Sequence, residues 1–228
     1  SNSLINCPNF VLIIDELNRA AVAKVFGELI TLIDSSKRYG NSDFLTLALP
    51  NSQEQFCVPN NLFIVATLNM SEPALPGLST AVKSRFDSIA LKPQAEFLKA
   101  IHIPSLRLDK WLVQINQNIE VVLGAQFTIG HAIFASLTSL EKVHIQDLAS
   151  IVRLKILPIL ETLFFDDWES MRQVLGESEL ANQHPTAWVH KTPIGLKKSN
   201  LPPNNGFIYH WNYPALSLVK SYQKIYEA

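Results

Sequence analysis

A short apolar run that ends in two acidic residues places the strongest constraint on the fold. Residues 10–14 read Phe-Val-Leu-Ile-Ile, and Asp15 and Glu16 follow directly. A continuous run of β-branched and large apolar residues predicts a strand that is covered on both faces of a parallel sheet. Open α/β sheets bind their ligands beyond the carboxyl ends of such strands. We therefore expect the two carboxylates to lie at a ligand-binding edge.

The first third of the chain alternates between strand and helix patterns. Residues 62–66 form a second apolar run, residues 88–91 a third, and residues 44–49 and 55–58 resemble the arms of a hairpin. Apolar residues recur at helical spacing from about residue 18 to residue 35. This alternation predicts an α/β fold for the first part of the chain.

From about residue 94 the pattern becomes helical. One predicted helix carries a single apolar stripe, with Gly124 in position to end it; the stripe consists of Leu108, Leu112, Ile115, Ile119 and Val122. Further helices are predicted over residues 145–157, where Pro158 should kink or restart the helix, and over residues 167–175, where Gly176 stops it. The remainder of the chain is predicted to be mostly extended, with a closing helix.

Size and charge limit the classes of function. With 228 residues, of which 47% are hydrophobic, the chain can bury a substantial core. A formal net charge of -1 gives no overall attraction to nucleic acid or to acidic membranes. DNA would therefore have to be bound by a local patch of the surface or by another polypeptide. No secretory signal and no apolar run of roughly 20 residues is present, which predicts a cytoplasmic protein without a membrane partner.

The strand followed by Asp15 and Glu16 is typical of a Walker B element. In such an element the aspartate holds Mg²⁺ through water, and the glutamate orients the water that attacks the γ-phosphate. Asp15 would then be the metal-binding residue, and Glu16 the catalytic one. Alternatively, the two acids merely end a strand and cap the next helix.

Two polar residues follow in the order that a nucleotide site requires. Asn69 comes after the second strand, where a sensor amide would position the attacking water or the γ-phosphate; it is otherwise an ordinary turn residue. Arg85 precedes the third predicted strand, where an arginine can reach the nucleotide of a neighbouring subunit; it is otherwise part of a solvated basic turn.

No phosphate-binding P-loop is present in this sequence. The motif GxxxxGK[ST] needs a glycine followed by lysine, and none of the eight glycines has one. We therefore expect no hydrolysis by this chain alone, with the P-loop either upstream in a longer protein or lost. The six histidines show no metal-binding spacing.

Several clusters together resemble the McrB family. Residues 13–20, Ile-Ile-Asp-Glu-Leu-Asn-Arg-Ala, and residues 25–29, Val-Phe-Gly-Glu-Leu, are similar to that family's signature around Walker B. Residues 129–131, Ile-Gly-His, and residues 155–160, Lys-Ile-Leu-Pro-Ile-Leu, look like parts of its helical lid. The resemblance covers roughly residues 10–180.

The resemblance implies a GTP-hydrolysing AAA+ ring that is hexameric, reads modified DNA through a separate domain and drives an McrC-like endonuclease. By position, Asp15 and Glu16 would serve Mg²⁺ and water activation, Asn69 would be the sensor, and Arg85 the finger acting on a neighbour. Asp15, Glu16 and Asn69 would contact the nucleotide, GTP or ATP. Asn18 and Arg19 would be signature residues near the nucleotide or the subunit interface.

The fold implied is α/β, a partial AAA+ P-loop NTPase core from Walker B onward without Walker A, followed by an α-helical lid subdomain. The predicted domains are 1–93 for the core, 94–180 for the lid and 181–228 for a C-terminal extension. Residues 68–73, Leu-Asn-Met-Ser-Glu-Pro, depart from the family's "MNTAD-R", so GTP and ATP both stay open. Two other functions also stay open, a degenerate, non-hydrolysing AAA+ assembly subunit and a remodelling ATPase of another AAA+ class.

Overall fold

The structure is a computed structural model, and its internal contacts divide the chain into two compact units, Ser1–Ala90 and Leu91–Ala228. It describes residues 7–69, 78–177, 184–193 and 207–227. The domain boundaries expected from the sequence remain predictions. Most of the segment that departs from the family after Asn69 lies outside the described residues.

The first unit mixes short strands and helices, which fits the predicted α/β character. Strands β1 (Phe10–Ile14) and β4 (Leu62–Ala66) are parallel, with Phe10 opposite Leu62 and Ile14 opposite Ala66. Strands β2 (Leu47–Ala48) and β3 (Gln55–Phe56) form the predicted antiparallel hairpin. The elements are β1 (Phe10–Ile14), α1 (Val22–Phe26), β2 (Leu47–Ala48), β3 (Gln55–Phe56), β4 (Leu62–Ala66) and α2 (Thr80–Lys83).

The helix predicted from residue 18 to residue 35 is wrong in extent. The α-helical part is α1 alone, and 3₁₀ turns follow over Gly27–Ile33 and Ser35–Lys37. Gly27 has a φ of 50°, a left-handed value that ends the α-helix. The apolar face is only partly kept, because Leu32 is buried whereas Val25 is 67% exposed.

The predicted coverage of the β1 strand on both faces is also wrong. Val11 is 59% exposed and Ile13 is 68% exposed. In the described part of this unit, β1 pairs with β4 alone, and the small core of Leu17, Val22 and Val82 packs against the sheet only through Ile14 and Ala66. The sequence therefore identified the strand but not its surroundings.

The third strand predicted at residues 88–91 does not form. Within the described residues this stretch has no regular secondary structure, and Ile89 is 86% exposed and Leu91 95% exposed. A strand requires the backbone groups of a neighbour, and a run of apolar residues does not supply them.

The second unit is mainly helical. It contains α3 (Leu108–Val122), α4 (Ile145–Ile151), α5 (Leu157–Phe164), α6 (Trp168–Val174), the antiparallel strands β5 (Val189–Pro193) and β6 (Phe207–Trp211), and α7 (Val219–Tyr226). Its 3₁₀ turns span Ala95–Ala100, Ala125–Phe127, His131–Ser139 and Tyr213–Ser217. No helix in the described part of the chain is both long enough and apolar enough to cross a membrane.

Helix α3 forms the centre of the second unit, as the apolar stripe predicts. Leu112, Ile115 and Ile119 are fully buried, together with Trp111 from the same helix. Gly124, with a φ of 108°, donates its N–H to carbonyls of the last turn and ends the helix. The terminating glycine and the stripe from Leu108 to Ile119 are confirmed, whereas Val122 at the end of the predicted stripe is 36% exposed.

The expected disturbance at Pro158 is confirmed and has a definite form. A π-helical segment, Val152–Ile156, lies between α4 and α5, and Pro158 stands in the first turn of α5. Proline has no N–H to donate and its ring clashes with the carbonyl of the preceding turn. A widened turn is one of the ways in which a helix accommodates such a residue.

The buried carboxylate of Glu177 connects the strands and α7 to the end of α6. Its side chain is 0% exposed and accepts the backbone N–H of Trp188 at 2.5 Å and that of Val189 at 3.3 Å. Lys224 Nζ lies 3.0 Å and Arg172 Nε 3.6 Å from its oxygens. The described residues from 184 onward thus share one core with α3.

Candidate functional site

The carboxyl ends of β1 and β4 meet at one edge of the small parallel sheet. Because Ile14 is opposite Ala66, the next residues along the two strands, Asp15 and Thr67, are neighbours. The backbone connection continues beyond the strands: Thr67 donates its N–H to the Ile14 carbonyl at 3.0 Å, and Leu17 donates to the Thr67 carbonyl at 2.9 Å. The chain beyond β1 is therefore fixed against the end of β4.

The Thr67 hydroxyl contacts both acidic residues. It donates to Asp15 Oδ1 at 2.5 Å and accepts the backbone N–H of Glu16 at 2.8 Å. Asp15 is exposed and Glu16 is half-buried. Both carboxylates accordingly remain accessible to a ligand at this edge.

The backbone turns sharply at Glu16. The backbone of this residue is left-handed, with φ 52° and ψ 50°. This conformation is uncommon for residues other than glycine, asparagine and aspartate. The 3₁₀ turn Leu17–Arg19 follows, and Leu17 enters the small core. Arg19 Nε lies 2.7 Å from Glu16 Oε2, in an ion pair that is open to solvent.

Asn69 is held at the same edge through its backbone. Asn18 Nδ2 donates to the Asn69 carbonyl at 2.9 Å, and the Asn69 N–H donates to Asn18 Oδ1 at 3.3 Å. Asn18 is only 6% exposed, so it braces the loop from inside. Three of the residues predicted from the sequence, Asp15, Glu16 and Asn69, therefore lie at the edge of the sheet where β1 and β4 end.

Arg85 lies just after α2, and no contact joins it to this edge in the described part of the chain. It is half-buried, and its Nη1 donates to the carbonyl of Ala81 on its own helix. The neighbouring Val82 and Phe86 pack on the same small core as Leu17. Its predicted role toward a neighbouring subunit stays a prediction.

The donor set at the edge fits Mg²⁺ bound together with a nucleotide. Among the described residues, no group of three histidine, cysteine, aspartate or glutamate side chains converges as a complete metal site. Mg²⁺ commonly binds through one or two carboxylates, with water and phosphate oxygens as its other ligands. Asp15 could supply one such carboxylate, because it is exposed, whereas the carboxylate of Glu16 is paired with Arg19.

Thr67 and the bracing contact of Asn18 were not foreseen as parts of the site. Only part of the signal for Thr67 was available: strand 62–66 leads directly into it, but its place beside Asp15 follows from the parallel register of the two strands. The register itself could not be read from the sequence. The signal for Asn18 was its place in the family signature, without a contact to define its role.

The helical unit matches a known family. Residues 107–172 match the family described as McrB, alpha-helical lid domain. This range contains α3, α4 and α5 and most of α6. The second unit therefore carries an McrB-type lid, which confirms the helical lid predicted from the sequence.

Two relatives extend the similarity beyond the lid. The chain is 33% identical over 171 residues to the Type IV methyl-directed restriction enzyme EcoKMcrB subunit of Escherichia coli (strain K12), which covers 69% of this chain and 37% of that protein. It is 38% identical over 88 residues to the Type II restriction enzyme BsuMI component YdiS of Bacillus subtilis (strain 168), which covers 34% of this chain and 25% of that protein. The chain thus matches well under half the length of either relative. These matches confirm that it is an McrB-type region.

Proposed function

We propose that the intact protein containing this chain is an AAA+ NTPase, with GTP as its nucleotide in preference to ATP, that drives a nuclease in the restriction of modified DNA. The observation that carries the proposal is the edge where Asp15 and Glu16 follow β1 and Asn69 follows β4. The restriction role is supported by the two relatives, both of which are restriction-enzyme components.

Each residue at the edge has a distinct chemical task in this proposal. Asp15 would hold Mg²⁺ through a water molecule, and the ion would neutralise negative charge on the phosphates. Glu16 would accept a hydrogen bond from the attacking water and orient it. Asn69, anchored by Asn18, would present its amide to the same water or to the γ-phosphate.

A first experiment tests the two acids in the intact protein. Glu16→Gln should leave nucleotide binding in place and lower the hydrolysis rate by roughly 100-fold or more, because the carboxylate acts on the water and not on binding. Asp15→Asn should raise the Mg²⁺ requirement and lower the rate. The matched control is Asp43→Asn, an exposed acid of the same unit, which should hydrolyse normally. Normal hydrolysis by both site variants would remove these acids from the mechanism.

A second experiment tests Arg85 and ring assembly together. An arginine finger is worth roughly 10³–10⁵ in rate, so Arg85→Ala should bind nucleotide and hydrolyse it poorly. If Arg85 serves a neighbouring subunit, mixing Arg85→Ala with Glu16→Gln subunits should restore hydrolysis. Some neighbours would then combine Glu16 from one subunit with Arg85 from the other. Failure of every mixing ratio to restore activity would contradict action between subunits.

A third experiment tests the restriction role. The intact protein, with an McrC-like endonuclease and GTP, should cleave DNA that carries modified bases and leave unmodified DNA of the same sequence intact. Modified DNA would be bound by a domain outside this chain. Cleavage that is equal on both DNAs, or unaffected by Glu16→Gln, would contradict the coupling of hydrolysis to restriction.

One contact favours a second candidate, a degenerate assembly subunit that does not hydrolyse nucleotide. The Arg19 side chain engages the carboxylate of Glu16 at 2.7 Å, which would compete with the attacking water. The candidates are separated by the rates of nucleotide hydrolysis of wild type and Glu16→Gln, measured with the nuclease partner and modified DNA present. Equal hydrolysis rates support the assembly subunit. A strong preference for ATP would instead favour a remodelling ATPase.

A further inference from the structure

We infer that Thr67 is a positioning residue for the two acids of the proposed site, so this inference rests on the proposed function. A single hydroxyl group contacts both residues. It donates to the Asp15 carboxylate and accepts the N–H of Glu16. Neither the Walker B run nor the sensor residue Asn69 accounts for this contact.

The two hydrogen bonds are mutually consistent. A threonine hydroxyl has one hydrogen to donate and lone pairs that accept. Its hydrogen points to Asp15 Oδ1, and a lone pair receives the N–H of Glu16. Because this bond uses only Oδ1, Oδ2 of Asp15 would stay available for the role of holding Mg²⁺.

Thr67 is itself held rigidly enough to act in this way. Its N–H and its carbonyl continue the backbone bonding between the two strand ends, to Ile14 and Leu17. Threonine is branched at Cβ, which restricts rotation about χ1 and favours a fixed hydroxyl position. Asp15, by contrast, is exposed, so a bond from Thr67 limits the rotational freedom of its side chain.

Loss of the Thr67 hydroxyl should change the Mg²⁺ dependence of hydrolysis and leave folding unchanged. Residues that orient the ligands of a metal typically change metal affinity or activity by roughly 10–100-fold when they are removed. Because the site is open to solvent, we expect about tenfold, the lower end of that range. The bond to the Glu16 N–H also holds the turn that presents the second carboxylate.

The test compares Thr67→Val with Thr67→Ser in the intact protein. Valine keeps the branched shape and removes the hydroxyl, whereas serine keeps the hydroxyl and removes the methyl group. We expect Thr67→Val to raise the Mg²⁺ concentration for half-maximal hydrolysis by about tenfold, and Thr67→Ser to stay close to wild type. A residue with only a structural role would lower the thermal midpoint without changing the Mg²⁺ dependence.

An unchanged Mg²⁺ dependence in Thr67→Val would overturn the inference, as would equal impairment of the valine and serine variants. If Thr67→Val does not fold, Thr67→Ala provides the same comparison with serine. Asp15→Asn separates this inference from the proposed function. Equal hydrolysis by wild type and Asp15→Asn refutes the function itself, whereas an inactive Asp15→Asn beside a normal Thr67→Val refutes only the role of Thr67.

Discussion

Glu177 combines two hydrogen bonds from backbone N–H groups with ion pairs to two basic residues in the helical unit. Its carboxylate is fully buried and lies between Lys224, whose side chain is 21% exposed, and Arg172, whose side chain is 2% exposed. Burial lowers the pKa of Lys224, and the neighbouring Glu177 partly offsets that change. Buried charges of this kind are tolerated only when each one is paired.

Removal of the Glu177 charge should therefore be costly. Glu177→Gln removes the buried anion that Lys224 and Arg172 share, although Glu169 still pairs with Arg172. Breaking a buried pair in this way typically costs about 3–5 kcal/mol of unfolding free energy. Urea denaturation of the variant measures this loss. The control Glu120→Gln, at an exposed position of α3, should change the unfolding free energy by less than about 0.5 kcal/mol. Equal stability of the two variants would show that Glu177 is not required for the attachment of its partners.

Glu169 should contribute to stability in a pH-dependent way. Burial raises its pKa, but hydrogen bonds from Lys191 and Tyr209 outweigh that effect and bring the pKa below its ordinary value of 4.5. A carboxyl with a lowered pKa stabilises the fold above its unfolded pKa, and this contribution is lost as the pH falls through the folded pKa. Glu169→Gln should thus be less stable than wild type near pH 7, and the difference should narrow as the pH falls below 4.5 and through the lowered folded pKa. Urea midpoints measured from pH 7 downward test this, and a gap that does not narrow as the pH falls would contradict it.

Residue types at the candidate site could be predicted, whereas their contacts could not. Asp15 and Glu16 were recognisable because they come directly after an apolar run, and Asn69 because it is the polar residue that follows the second strand pattern. Thr67 was not recognised, because its role depends on the register that places the residue after β4 beside Asp15. The register of two strands separated by some fifty residues is a tertiary property.

Elements with a strong local signal form as predicted. Helix α3 follows from its apolar stripe and terminating glycine, and the β2–β3 hairpin from its two short β-prone segments. The strand at residues 88–91 and the long helix from residue 18 did not form as expected, because apolar content alone does not supply a hydrogen-bonded neighbour or override Gly27.

Helix α7 lies outside the matched lid range and is nevertheless part of the lid core. Tyr222 is fully buried, its ring contacts Trp111 and Trp188 with centroids 5.9 Å and 5.1 Å away, and its hydroxyl donates to the Leu216 carbonyl at 2.8 Å. Burial also raises the pKa of this phenol. The last helix therefore acts as a structural component of the lid.

Substitutions at Tyr222 should show a graded effect. Tyr222→Phe removes only the hydrogen bond and should cost about 1 kcal/mol of unfolding free energy. Tyr222→Ala also leaves a cavity between two tryptophans and should cost about 3–5 kcal/mol. Urea unfolding followed by far-ultraviolet circular dichroism measures both. A loss of stability that is equal in the two variants would mean that ring packing adds nothing.

At the scale of the whole molecule, the two units differ in how much core they possess. The first has a small cluster built on Leu17, Val22 and Val82, whereas in the second the five described α-helices all contribute to a continuous core that includes Trp111 and Trp188. The sequence indicated a strand-bearing part followed by a helical part. It could not indicate how exposed the first part would be, because burial depends on every neighbour that packs against a strand.

This difference predicts unequal behaviour of the isolated units. A fragment of residues 91–228 should fold by itself and unfold in one cooperative transition, because its core is internal. A fragment of residues 1–90 should lack a cooperative transition and bind a hydrophobic dye, since both strands of its parallel pair expose apolar side chains. Thermal denaturation of each fragment tests this, and cooperative unfolding of 1–90 would contradict it.

The tryptophan cluster around Tyr222 has a practical consequence. Trp111 and Trp188 have no exposed surface, and both lie against a residue of the final helix. If that helix detached, water would reach the two indoles and their fluorescence emission would move to longer wavelengths. The protein thus carries an intrinsic optical reporter of whether its last helix is attached, without any added label.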